Sequence, residues 1–143
     1  MNSNTDTEGF SGGCLCGAVR YRLKPPLRPA VACHCNQCRR ASGHYVSATC
    51  VARQNFTLTG SDGLKWYRSS ERAERGFCRE CGSSLFWSAD GLDTISIMTG
   101  TIDGNTGLHT VAHICVADKG DYYSLNPSEP QYDALTYPSP WDS

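Results

Sequence analysis

Apolar side chains along this chain recur mostly at every second position: Val19, Tyr21 and Leu23, then Val46, Ala48 and Cys50, then Ile95 and Ile97 beside Met98. A period of two puts alternate side chains on opposite faces of an extended strand. Further strands are predicted at 55–59, 64–68, 84–88 and 111–116, separated by the turn signals Gly60-Ser-Asp-Gly63, Ala89-Asp-Gly91 and Asp103-Gly-Asn105. Short strands at intervals of about ten residues predict an all-β fold of short antiparallel strands. Only 36–42 reads as a helical turn, and it carries Cys38. Residues 1–11 read as a disordered polar tail in which Phe10 is the one large apolar side chain. Residues 12–125 read as one domain. Residues 126–143, with Pro127, Pro130, Pro138 and Pro140, read as an extended C-terminal strap.

Composition narrows the classes. A chain of 143 residues, 39% hydrophobic and 19% charged, supports one packed core and is neither fibrous nor disordered. Thirteen Lys and Arg against fourteen Asp and Glu leave a net charge of -1, so no electrostatic footprint for nucleic acid is present. No window approaches the roughly 18–20 apolar residues of a membrane helix, and the first nine residues are polar apart from Met1. A soluble cytoplasmic protein with neither a nucleic-acid nor a membrane partner is the expectation.

Nine cysteines change the picture. An odd number of thiols without an export signal points to a reducing compartment, and short spacings among reduced thiols point to metal. Seven of them form three groups: Cys14 and Cys16; Cys33, Cys35 and Cys38; Cys78 and Cys81. Two closed four-sulfur sites would need eight. Cys33, Cys35 and Cys38 lie within six residues and can converge on one ion, which leaves Cys14, Cys16, Cys78 and Cys81 for a closed site. Closed tetrahedral zinc sites are structural, whereas catalytic ones keep a position for water or substrate. The count therefore predicts two zinc ions, one structural and one catalytic. Two alternatives stay open: His34 or His44 closes the Cys33 group into a second structural site, or a member of one pair completes it. Cys50 and Cys115 lie in apolar strand patterns and read as small buried hydrophobes. His109 and His113 read as hydrogen-bonding histidines of a strand and its approach, and Trp66, Tyr67, Phe77, Phe86 and Trp87 read as core.

Gly12-Gly-Cys-Leu-Cys-Gly-Ala18, Cys33-His-Cys-Asn-Gln-Cys-Arg39 with Gly43 after it, and Phe77-Cys-Arg-Glu-Cys-Gly82 carry a resemblance, extended by Gly100-Thr-Ile-Asp103 and by His113-Ile followed by Lys119. Together they resemble the glutathione-dependent formaldehyde-activating enzyme family, which also contains the centromere protein V domain, over roughly residues 12–125. The resemblance implies a β-tent-like fold with a structural zinc at Cys14, Cys16, Cys78 and Cys81 and a catalytic zinc at Cys33, Cys35 and Cys38. It also implies a carbon-sulfur lyase whose small-molecule substrate is of the S-hydroxymethylglutathione type, made from glutathione and formaldehyde. Cys115 stands where the family often has an aromatic residue, and facing the second zinc it would be a fourth ligand or a redox lock. The alternatives are a zinc enzyme of the same fold acting on another small carbonyl or hydroxyl metabolite, a non-enzymatic zinc-stabilised binding module, and, further off, a redox pair at Cys78 and Cys81.

Overall fold

In the computed structural model, which describes residues 9–135, the chain divides into two compact units. One takes the residues up to Leu27 together with Thr49–Gly107; the other takes Arg28–Ala48 and the residues from Leu108. Of the tail predicted at 1–11, residues 1–8 lie outside the described residues and Phe10 and Ser11 are in a strand; the end of the predicted strap, 136–143, also lies outside them. No helix is long and apolar enough to cross a membrane.

The first unit holds two antiparallel groups of strands. β1 (Phe10–Gly13), β2 (Arg20–Leu23) and β5 (Phe56–Gly60) form a three-stranded sheet in the order β1-β2-β5. β6 (Leu64–Arg68), β7 (Ala73–Cys78), β8 (Ser84–Ala89) and β9 (Thr94–Met98) follow one another as neighbours. The alternation predicted from sequence buries Tyr21 and Leu23 from β2 and Ile95 and Ile97 from β9, while β8 buries the consecutive Leu85 and Phe86, one on each of its faces. Phe86 is the hub: Tyr21 and Phe56 meet its ring edge-on, with centroids 5.4 and 5.1 Å away, and Trp66 stacks at 6.0 Å. Gly76 of β7 makes room for two of these rings, since a Cβ there would stand 3.0 Å from both Phe86 and Trp66.

The second unit is built on β3 (Ala30–Cys33), which pairs antiparallel with β4 (Val46–Ala52) and parallel with β10 (Thr110–Ile114). The chain passes from the second unit into the first along β4. The pairings described are antiparallel except for β3 with β10. Between β3 and β4 lies the seven-residue helix α1 (Asn36–Ser42), closed by Gly43 at φ 85°, whose N–H donates to the Arg39 carbonyl. Val31, Ala112, Ile114 and Cys115 form a small apolar core on which Cys33, Cys35 and Tyr132 pack. Beyond β10 the backbone runs back along it: His113 N–H donates to the Pro130 carbonyl and Tyr132 N–H donates to the His113 carbonyl, both at 2.8 Å.

Candidate functional site

Two turns of the first unit bring four sulfurs together. Cys14 and Cys16 lie between β1 and β2. Cys78 ends β7, and Cys81 lies in the turn to β8. Each turn needs a residue in the left-handed region, supplied by Gly17 at φ 86° and Gly82 at φ 82°. The Gly82 N–H donates to the Cys78 carbonyl at 2.7 Å, and the Val19 N–H donates to the Cys14 sulfur at 3.2 Å. All four sulfurs lie within 4.8 Å of one another, with Cys14 to Cys16 and Cys16 to Cys78 at 3.7 Å. Sulfurs at the corners of a tetrahedron with metal bonds of about 2.3 Å stand about 3.8 Å apart, so this group fits one zinc-sized ion. Hydrogen bonds from Ser83, side chain first and then backbone, pull the Cys81 thiol down to about 5. The Ser83 hydroxyl lies 3.2 Å from the Cys81 sulfur and accepts from the Leu15 N–H, tying the two turns together.

The second group belongs to the second unit. Cys33 is the last residue of β3, Cys35 is the N-cap of α1, and Cys38 lies in its first turn. The Cys35 sulfur accepts the Cys38 N–H at 3.4 Å, so the helix start itself holds the sulfurs on one side. These three sulfurs also lie within 4.8 Å of one another, and among the described residues neither His34, His44 nor Cys115 joins the group at that range. Hydrogen bonds from Cys33 and Cys38 hold the Cys35 thiol down to about 2, and those with Cys35 and Cys38 push Cys33 far up. Cys115 is buried in the apolar core at φ 55°, the one non-glycine residue with positive φ among those described. Burial raises its thiol, against a hydrogen bond with Cys33.

His34, between two of these cysteines in the chain, turns its ring into the unit and is fully buried. Its Nδ1 lies 2.6 Å from the Tyr123 hydroxyl and its Nε2 lies 2.8 Å from His113 Nδ1. His113 Nε2 in turn lies 2.7 Å from Glu129 Oε1. Burial, then the neighbouring His113, holds His34 down to about 4, so it is neutral at physiological pH. Tyr123 is half-buried against His44, Tyr45 and His34, with ring centroids at 4.5, 5.8 and 5.5 Å, and Lys119 Nζ sits 4.5 Å over its ring. Burial holds its phenol above the ordinary range. The pattern of the sequence places His113 as a hydrogen-bonding strand histidine, which is where it lies. It gives no sign of Glu129, Tyr123 or Tyr45, because contacts 16 to 89 residues apart in the chain leave no local periodicity.

The comparisons with known proteins fit this arrangement. The family model described as glutathione-dependent formaldehyde-activating enzyme matches residues 9–118. An uncharacterized lyase of Schizosaccharomyces pombe is 28% identical over 118 residues, covering 81% of this chain and 85% of its own. A relative from Halomonas elongata that bears the family's name is 32% identical over 85 residues, 54% of each chain. A crystal structure of a Rhodobacter sphaeroides protein shares the fold with a TM-score of 0.57 at 21% identity, over 85% of this chain and 98% of that one. With both cysteine groups and the intervening strands inside the matched span, the chain belongs to the glutathione-dependent formaldehyde-activating enzyme family.

Proposed function

We propose that this protein is a zinc-dependent carbon-sulfur lyase acting on a small thiol–carbonyl adduct of the S-hydroxymethylglutathione type. The observation that carries the reading is the convergence of Cys33, Cys35 and Cys38, three sulfurs with no fourth protein donor in the same reach among the described residues. The family and the lyase name of the Schizosaccharomyces pombe relative support it. When bound, zinc at this group supplies Lewis acidity and a soft site for sulfur. The chain's own part is to hold three thiolates at a helix start and to shield one flank with Val31, Ala112 and Ile114. In the direction of synthesis the thiol loses its S–H proton, the carbon-sulfur bond forms and the carbonyl oxygen is protonated. None of the nine cysteines is in a disulfide, which supports action in a reducing compartment such as the cytoplasm.

Zinc-loaded protein mixed with glutathione and formaldehyde is expected to speed exchange between free and hydroxymethylated thiol, followed by NMR, above the rate without protein. No acceleration with glutathione or with a simple thiol would overturn the reading and favour a zinc-stabilised binding module. Acceleration with a simple thiol alone would move the substrate away from glutathione.

Cys14, Cys16, Cys78 and Cys81 are assigned the structural ion. Gly63 offers a test that leaves every ligand in place, because a Cβ there would stand 2.9 Å from both the Cys78 sulfur and the Ala18 Cβ. Gly63→Ala is expected to displace the sulfur by a few tenths of an ångström and to weaken retention of one of two ions by about tenfold or more. Competition with a coloured chelator reads this directly, and unchanged retention of both ions would oppose the assignment.

A further inference from the structure

Beside the three-sulfur group of the second unit lies a fourth thiol that does not join it. β3 and β10 run parallel with Ile114 paired to Cys33, and the His34 N–H donates to the Ile114 carbonyl at 3.1 Å, so the two strands stay together through the first cysteine of the group. Cys115 is the next residue along. Strands about 4.8 Å apart with a rise of about 3.3 Å per residue place such a diagonal pair of Cα atoms about 5.8 Å from each other, the separation common among disulfides. The backbone turns at Cys115 with φ 55° and is held there by the Cys115 N–H, which donates to the Ala134 carbonyl at 3.0 Å. Its side chain lies in the apolar core on which Cys33 packs, and the two thiols share a hydrogen bond. We propose that Cys33 and Cys115 form a reversible disulfide when a peroxide oxidises Cys33, and that this bond withdraws Cys33 from the second metal site.

Burial sets the order of events. Cys115 is 8% exposed, whereas Cys33 is half-buried and within reach of a molecule as small as hydrogen peroxide. The Cys33 sulfur gives an electron pair to the peroxide: the oxygen-oxygen bond breaks, a sulfur-oxygen bond forms and hydroxide leaves. The Cys115 sulfur then attacks the Cys33 sulfur, the sulfur-sulfur bond forms, and the hydroxyl departs with the Cys115 proton as water. Two electrons have left the pair of sulfurs, and the peroxide has been reduced. Cys35 and Cys38 are committed as donors within the group, while Cys115 stands outside it and is free to close the bond. A sulfur in a disulfide is no longer a thiolate, so the group is left with two donors where zinc sites use three or four. The same bond spares Cys33 from further oxidation to the sulfinic acid, which thiols do not reverse.

This role rests on the ion assigned to Cys33, Cys35 and Cys38 above and is independent of the carbon-sulfur chemistry. Zinc-loaded protein treated with excess hydrogen peroxide beside a coloured chelator is expected to release one of two ions and to lose at least about tenfold in exchange activity. Peptide mapping without reduction should show Cys33 joined to Cys115. A dithiol with zinc should restore the ion, and the activity to within about twofold. Cys115→Ala should still lose the ion to peroxide, but with Cys33 carried on to the sulfinic acid, a gain of two oxygens in mass, and with less than about a tenth of the activity recovered. The parent's peptide map decides the matter even where the variant fails to fold. Cys33 joined mainly to another cysteine, a Cys33 to Cys115 bond that leaves both ions in place, or recovery of Cys115→Ala as full as the parent's would overturn the inference. If the parent accelerates no exchange, the carbon-sulfur reading fails alone, and ion release with the peptide map still decides the disulfide.

Discussion

Cys35→Ser is expected to remove one equivalent of metal and to lower kcat/KM at least about a hundredfold, while the fold survives. The two consequences separate because Cys35 has two roles that serine divides. As N-cap of α1 it accepts the Cys38 N–H, and a serine hydroxyl is among the best acceptors at that position. Helix α1 therefore keeps its start. As a thiolate it is one of the three sulfur donors of the group, and a serine hydroxyl does not ionise near neutral pH to replace it. Metal per chain by elemental analysis should fall from two to one, amide spectra should stay dispersed, and the melting temperature should move by no more than a few degrees. Retained activity, or loss of structure as severe as that expected for Cys78→Ser, would contradict the division into a catalytic and a structural group.

How far the sequence carries such arguments depends on the scale of the signal. The period-two pattern marks β2, β4, β5, β6, β8, β9 and β10 to within a residue or two, and 36–42 coincides with α1. Three strands escape it for separate reasons. In β3 all of Ala30, Val31 and Ala32 are buried between two neighbouring strands, so no polar face alternates. In β7 one buried slot is Gly76, occupied by the rings of its neighbours, and the register shifts between Gly76 and Phe77. β1, Phe10-Ser-Gly-Gly13, reads as tail and start of domain, and is a strand because it pairs with β2 and meets Ile102. The sulfur groups were legible because metal ligands cluster at short spacing within turns. The Glu129 to Tyr123 line was not, since its members come together only through the parallel pairing of β3 with β10 and the backbone that returns along β10.

The largest loss of stability is expected from Cys78→Ser. Cys78 is fully buried at the end of β7, and its sulfur stands 3.7 Å from that of Cys16, 62 residues away in the chain. The group thus joins the start of the first unit to its middle. Structural zinc sites contribute an apparent ~10–16 kcal/mol to small domains at neutral pH, comparable with or above the ~5–15 kcal/mol that stabilises a whole domain. Losing one of four thiolates and leaving a hydroxyl in its buried place should remove most of that, so the residues Thr49–Gly107 are expected to lose dispersed amide signals and cooperative melting. Cys50→Ala is the control: Cys50 is as well buried, belongs to the same unit and lies outside both sulfur groups, so truncating it should cost only about 1–2 kcal/mol and a few degrees. Strong chelation of the parent protein should reproduce the Cys78→Ser state, and zinc should reverse it. A Cys78→Ser protein that melts cooperatively within a few degrees of the parent would assign the fold to strand packing around Phe86 instead of to the sulfur group.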